Sequence, residues 1–227
     1  MSAIKVLIVD DEADILDLLE YNLQQNNFEV YKAANGTEAI EIAKKVNPKV
    51  IILDVMMPKM DGIETCRRLR EMPEFRQTHI LFLTARTEEY SELAGFDAGA
   101  DDYVQKPIKP RILISRINAI LRRDTEVDTE KPKVIKIKDI EINRETFLVT
   151  KDDGTTIVLA KKEFELLYFL ASKPGKVFSR NILLENVWGT DVLVVDRTVD
   201  VHIRKLREKI GEEYISTVKG VGYKFEP

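Results

Sequence analysis

Hydrophobic and polar positions follow two recurring patterns along residues 5–123. Short apolar runs rich in Val and Ile, at Lys5–Val9, Lys49–Leu53, Ile80–Leu83 and, more weakly, Asp102–Gln105, read as parallel strands buried on both faces. Phe28–Ala33 alternates more and belongs nearer a sheet edge. Between these runs, Ile15, Leu18, Leu19 and Leu23 recur at helical spacing, as do Ala39, Ile42, Ala43 and Val46. Pro48 and the Glu71-Met72-Pro73 break supply helix stops. Five strands alternating with five helices predict a doubly wound α/β domain, whose sites form at the carboxyl ends of the strands.

The pattern changes after residue 123. Residues 124–133 are polar apart from Val127, contain Pro132 and have neither period, so they read as a linker with a mean span of roughly 17 Å if flexible. Short strand-like segments follow at Lys133–Lys138, Ile140–Ile142 and Thr146–Val149, and Asp153-Gly154 supplies a turn before Thr155–Leu159. Helical stretches cover Lys161–Ser172, Ser179–Trp188 and Arg197–Ile210, and a hairpin around Gly220 closes the chain. This second domain, 134–227, is of α+β type.

Composition narrows the classes. The 227 residues are 44% hydrophobic and 33% charged with both signs represented, which suits a globular chain and not a disordered one. No apolar run approaches the ~18 residues of a membrane span, and Met1 leads into a strand-like segment and not a signal peptide, so no membrane association is expected. One cysteine, Cys66, excludes an internal disulfide and suits a reducing compartment. A net charge of −4 speaks against a uniformly basic nucleic-acid binder. That charge is unevenly spread. Residues 1–124 hold 17 Lys+Arg against 21 Asp+Glu, whereas 197–224 hold seven basic and four acidic residues, or +3.

The chemistry of the first half gathers where its strands end. Asp10 and Asp11 follow the first strand, Asp54 the third, Thr84 the fourth and Lys106 the fifth. Three converging carboxylates repel one another unless a cation neutralises them, and Mg²⁺ suits oxygen ligands and phosphate. A carboxylate there can attack phosphorus, with Lys106 balancing charge on the transferring group. Asp10-Asp11, Asp54, Met57-Pro58 with Asp61-Gly62, Thr84-Ala85, Gly99–Tyr103 and Lys106-Pro107 together resemble a bacterial response-regulator receiver domain over residues 1–123. The resemblance implies that Asp54 accepts phosphate from a sensor histidine kinase. It also implies that Asp10, Asp11, Asp54 and the Met56 carbonyl hold Mg²⁺ (or Mn²⁺), and that Thr84 and Tyr103 form a switch. A cis bond before Pro107 and rate tuning by Met56 and Arg86 are implied as well. Cys66 and His79 have no partner at ligand spacing in the sequence.

In the second half, Arg197–Ile210 is an amphipathic helix with Val199, His202 or Ile203, Leu206 and Ile210 along one face. A basic helix of this kind is usually a solvated face, but it can also read a major groove. Leu159, Glu163-Phe164, Leu166-Leu167, Val187-Trp188, Arg197–Arg207 and Gly220–Tyr223 resemble the winged helix-turn-helix domain of the OmpR/PhoB family. From that family, Arg204 and Arg207 are candidates for base or phosphate contact and Val201 for packing on bases. Arg197, Thr198, His202, Lys205, Thr217, Lys219 and Tyr223 are candidates for backbone contact, with Trp188 in the core. The apolar loop Gly189–Asp196 corresponds to a segment that touches RNA polymerase in the family; burial against the receiver would equally explain it.

The family dimerises on phosphorylation through its fourth helix, fifth strand and fifth helix. Asp97, Asp101, Asp102, Arg116, Arg122 and Arg123 supply charges for that face. Ala94 and Ile112 stand where relatives commonly place an ion pair, which predicts an apolar contact beside Phe96. The resulting expectation is a cytoplasmic, bacterial, phosphorylation-controlled regulator of transcription that binds double-stranded promoter DNA and has no enzymatic activity beyond its own phosphorylation and dephosphorylation. Two alternatives remain from sequence: a Mg²⁺-dependent phosphatase, which would want an acid where Met56 stands, and an unphosphorylated dimerisation module.

Overall fold

A computed structural model describes residues 3–84, 98–125, 132–189 and 197–227, without the side chains of 123–125 and 197. The chain divides into two compact units, Met1–Glu126 and Val127–Pro227.

The first unit is a five-stranded parallel sheet flanked by helices. Its strands are β1 (Ile4–Val9), β2 (Phe28–Ala33), β3 (Val50–Asp54), β4 (His79–Thr84) and β5 (Asp102–Gln105). Their spatial order is β2-β1-β3-β4-β5, which puts the more polar β2 at an edge, as its alternation predicts. Helices α1 (Ala13–Gln24), α2 (Gly36–Val46), α3 (Gly62–Glu71) and α4 (Pro110–Thr125) are described; a further helix expected between β4 and β5 would fall on residues 85–97, outside them. The central strands have no polar face because helices cover both sides. Val6, Ile8, Ile52, Leu81 and Leu83 are completely buried on one side of the sheet, against Leu19, Leu23 and Ile117, and each contributes about 1.5–3 kcal/mol by leaving water.

Local chemistry sets the helix starts. The Asn35 side chain accepts from Glu38 N at 3.2 Å, and that of Asp61 accepts from Glu64 N at 2.8 Å, so α2 and α3 begin on orthodox caps. Gly62 must lack a side chain, since a Cβ there would lie 2.1 Å from the Asp54 carbonyl oxygen. That close approach lets α3 start directly beneath the end of β3.

Two buried ion pairs tie the unit together. Arg70 on α3 donates to Asp101 Oδ2 at 2.7 Å and to the carbonyls of Gly99, Phe75 and Thr78, each at 2.8 Å. Asp101 also accepts from Ile80 N at 2.8 Å. On the other side of β5, Arg116 Nη1 donates to Asp102 Oδ2 at 2.9 Å and to the Tyr103 carbonyl at 3.1 Å.

The second unit opens with a four-stranded antiparallel sheet, β6 (Val134–Ile137), β7 (Ile140–Asn143), β8 (Leu148–Lys151) and β9 (Thr156–Ile157). Three helices follow: α5 (Lys161–Ala171), α6 (Arg180–Val187) and α7 (Arg197–Ile210). The closing hairpin, β11 (Ile215–Val218) and β12 (Gly222–Phe225), gains a third strand in β10 (Phe178–Ser179), which the sequence pattern does not predict. Gly222 permits this pairing, because a Cβ there would sit 2.0 Å from the Phe178 carbonyl oxygen. The core gathers Phe164, Trp188, Val199, Ile203, Leu206, Tyr214 and Phe225, all nearly inaccessible to water.

Removing Arg70 strands Asp101 in the interior, so Arg70→Ala is expected to cost ~3 kcal/mol or more. Arg68→Ala breaks only an exposed pair with Glu64 and is expected to cost under about 1 kcal/mol. Denaturant unfolding followed by far-UV circular dichroism reads both. Trp188 fluorescence reports the second unit and should not move in either variant; equal losses for the two would contradict the ranking.

Candidate functional site

The carboxyl ends of β1, β3, β4 and β5 bring together the residues expected there. Asp10 is fully buried and accepts from Glu12 N at 3.0 Å, while Asp11 is exposed. Oxygen atoms of Asp10, Asp11 and Asp54 lie within 4.8 Å of one another. Lys106 Nζ stands 2.9 Å from Asp10 Oδ2, 3.1 Å from Asp54 Oδ1 and 3.6 Å from Glu12 Oε1. The Lys106–Pro107 peptide is cis, and Lys106 N donates to the Thr84 carbonyl at 2.7 Å. A cleft of about 350 Å³ opens over Asp11, Asp54, Met56, Thr84 and Lys106. Tyr103 is buried, its ring centroid 5.5 Å from that of Phe82 on the neighbouring strand.

Electrostatics follow from this crowding. Burial pushes the Asp54 carboxyl up to about 6; Lys106 opposes that shift, and Asp10 and Asp11 add to it. Burial pulls the Lys106 ammonium down, but Asp10 and Asp54 outweigh it and hold its pKa above the ordinary value. An all-oxygen set of three carboxylates fits a hard divalent cation, and the net negative charge left after Lys106 gives that cation a role.

In the second unit, α7 presents Arg204 exposed and Val201, Lys205 and Arg207 half-buried, while Thr217 and Lys219 are exposed on the hairpin. Arg204 pairs with Glu208 at 3.4 Å on the same helix. Arg207 donates through Nε and Nη2 to the Ile215 carbonyl at 3.0 and 2.9 Å, and through Nη2 to Thr217 Oγ1 at 2.8 Å. A helix with an exposed, mixed basic and apolar face beside a two-stranded wing matches major-groove readout flanked by backbone contact.

Residues 6–118 match the family model described as a response regulator receiver domain, and residues 154–225 match the one described as transcriptional regulatory protein, C terminal. The chain is 43% identical to the transcriptional regulatory protein ResD of Bacillus subtilis, over 98% of this chain and 95% of that protein. It is 44% identical to the transcriptional regulatory protein SrrA of Staphylococcus aureus, with the same coverage. The chain belongs to the OmpR/PhoB-type response regulators. The crystal structure of the response regulator DrrB, a Thermotoga maritima OmpR/PhoB homologue, aligns with a TM-score of 0.51 at 36% identity, covering 99% of this chain and 100% of that one. This response regulator therefore carries a receiver and a DNA-binding domain, which imply a kinase and DNA as partners. Among the described residues, no helix is long and apolar enough to cross a membrane.

Several expected surface residues lie elsewhere in the regulator. Asp101 and Arg116, assigned from the family to an exposed dimer face, are 1% and 6% exposed; each is paired inside the domain because an unpartnered buried charge is costly. Ile112 is exposed as expected, whereas Ala94, Phe96, Asp97 and the side chain of Arg123 lie outside the described residues, as do Arg86 and most of the 189–196 loop. On the DNA side, Thr198 and His202 are buried and not on the surface. The His202 ring meets Trp188 edge-on with centroids 4.9 Å apart, and its Nδ1 lies 2.9 Å from the Thr198 carbonyl, so the helix uses this histidine to pack and not to reach a phosphate. Tyr223 is likewise buried, its hydroxyl donating to Asp200 at 2.6 Å. Arg207 is drawn onto the hairpin by the contacts above. The side chain of Arg197 is not described. Arg180 and Asp200 carry little signal in the sequence: Ser179 as a cap before Arg180, and an acid in the first turn of a basic helix.

Asp54 supplies a pH test. Its pKa lies above the ordinary 3.8, at about 6, so the folded receiver loses stability as pH rises through that window. Asp54→Asn removes the ionisation. In metal-free buffer at about pH 7.5 the variant should be ~1–2 kcal/mol more stable, a figure discounted for water at the cleft mouth. The gain should vanish below about pH 4; a gain that persisted there would assign it to another cause.

Proposed function

We propose that Asp54 is the phosphoacceptor of this response regulator. What supports the assignment most is Lys106, poised within 3.1 Å of Asp54 and 2.9 Å of Asp10 at the floor of an open cleft. An Asp54 carboxylate oxygen attacks the phosphorus of a phosphohistidine on the sensor kinase. The new O–P bond forms as the P–N bond breaks, and the histidine nitrogen leaves to take a proton. Lys106 then transfers its ion pair from Asp54 to a phosphoryl oxygen. Asp10, Asp11, Asp54 and the Met56 carbonyl would hold Mg²⁺ (or Mn²⁺), which when bound neutralises charge on the transferring group. Hydrolysis of the acyl phosphate returns the carboxylate, so the domain catalyses only its own phosphorylation and dephosphorylation. Thr84 and Tyr103, on neighbouring strands, are the switch. Met56 is 67% exposed beside the site and offers no acid for turnover of a free phosphoester.

Phosphorylation then favours a receiver dimer that presents two winged helices to half-sites about one helical turn apart. Exposed Ile112 supports an apolar contact in that dimer where relatives use an ion pair, so its assembly should depend weakly on salt. Helix α7 enters the major groove with Arg204 and Val201, and Lys205 on the helix, with Thr217 and Lys219 on the wing, meets the backbone. The segment 189–196 would contact RNA polymerase, as its counterpart does in the family, and the protein works in the bacterial cytoplasm.

Incubation with phosphoramidate and Mg²⁺ should add one phosphoryl group, detected by intact mass. Chelation with EDTA or the change Asp54→Ala should abolish it, and undiminished labelling of Asp54→Ala would overturn the assignment. Arg204→Ala should cost about 1–3 kcal/mol of DNA affinity with relaxed preference at one base pair, if the arginine reads a base edge; an equal loss on all sequences would make it a phosphate contact.

A further inference from the structure

Asp200 is an acidic residue on a helix that must approach a polyanion, and its surroundings explain what it does there. It lies on the wing-facing flank of α7, about 100° around the helix from Val201 and about 40° from Arg204 by helical geometry. Its Oδ1 receives Arg180 Nε at 2.7 Å and the Tyr223 hydroxyl at 2.6 Å. Arg180 Nη2 closes the triangle on the Tyr223 hydroxyl at 3.2 Å. The Tyr223 ring is flanked by two guanidinium groups, Arg180 at 5.1 Å and Arg207 at 5.9 Å from its centroid. One carboxylate thus joins three elements: the first residue of α6, the first turn of α7 and strand β12 of the wing.

We propose that Asp200 is a positioning residue which locks the wing to the recognition helix by holding Arg180 and Tyr223 together. The proposal rests on the DNA-binding role of α7 and the wing. The carboxylate itself touches no DNA; it sets the separation between the side chains that enter the major groove and those on the hairpin that meet the adjacent backbone. Its contribution is entropic and geometric, because a wing fixed before binding need not be ordered on binding. The lock is only half-covered by protein, with Asp200 42% and Arg180 31% exposed, so a change there reaches the wing without opening the core. Asn at this position retains one acceptor oxygen for Arg180 and Tyr223, and Ala retains none.

Duplexes selected from a random pool by the phosphoramidate-treated, full-length wild-type protein provide the probe. Asp200→Ala is expected to bind them about tenfold more weakly, about 1.4 kcal/mol. It should lose hydroxyl-radical protection on the flank covered by the wing while keeping guanine protection in the major groove, and Asp200→Asn should restore part of the lost protection. Amide hydrogen exchange without DNA supplies the second readout: Thr217 and Tyr223 should exchange faster in Asp200→Ala than in wild type, with core amides of α5 unchanged. Unchanged hairpin exchange, or loss of major-groove and wing protection in equal measure, would overturn the lock. If the wild type selects no duplex, the DNA-binding role fails instead, and the exchange comparison still decides whether Asp200 holds the wing.

Discussion

The ammonium of Lys106 is the interaction on which the receiver is built. Parallel strands end with their carbonyls and following residues on one side, and here that side carries Asp10, Asp11 and Asp54 in close proximity. Without a cation, mutual repulsion would work against all three, and burial would add to it at Asp10 and Asp54. Lys106 reaches across from the end of β5 and satisfies the two buried members, leaving exposed Asp11 and the cleft mouth for a metal and a phosphate. The same lysine therefore makes the unliganded site tolerable and, in the proposed reaction, would become the phosphoryl group's counter-ion once Asp54 carries an acyl phosphate. The site is a charge balance with one replaceable partner. Under the proposed phosphorylation, exchange of that partner would carry a chemical event at Asp54 to β5, which holds Tyr103 and ends one residue before Lys106.

The second unit uses buried and half-buried polar groups in a comparable way. Glu163 accepts from Ala160 N at 2.8 Å and from Lys209 Nζ at 2.6 Å, tying the start of α5 to the end of α7. Lys162 donates to the Val187 carbonyl at 2.7 Å, fixing the end of α6. Together with the Arg180–Asp200–Tyr223 triangle, these contacts hold α7 at its N-terminal and C-terminal ends. Rigid placement would serve the proposed base readout, which requires hydrogen-bond geometry set by the scaffold and not by the ligand.

Most of the fold was readable because periodicity is local. Buried parallel strands announce themselves as Val/Ile runs, and the site residues follow them directly, so Asp10, Asp54, Thr84 and Lys106 were legible with their positions. Strand β10 was not, since two residues cannot show a period and its existence depends on Gly222, more than forty residues away. The inward turn of Asp101 and Arg116 was hidden for a related reason. The family's dimer face claims both charges until their partners are known, and Arg70 lies thirty-one residues from Asp101. Family resemblance puts Thr198 and His202 among backbone-contact candidates, whereas the periodicity already allows His202 on the apolar face, and the ring of Trp188 claims it for the core.

The central claim is that chemistry at Asp54 governs DNA binding by the other half of the chain. Its most direct test is the affinity of the full-length protein for one selected duplex, measured at fixed salt with and without phosphoramidate, in wild type and in Asp54→Ala. Treatment should tighten wild-type binding and leave Asp54→Ala unchanged. Equal affinities for treated and untreated wild type, in a sample shown by mass to be phosphorylated, would contradict it.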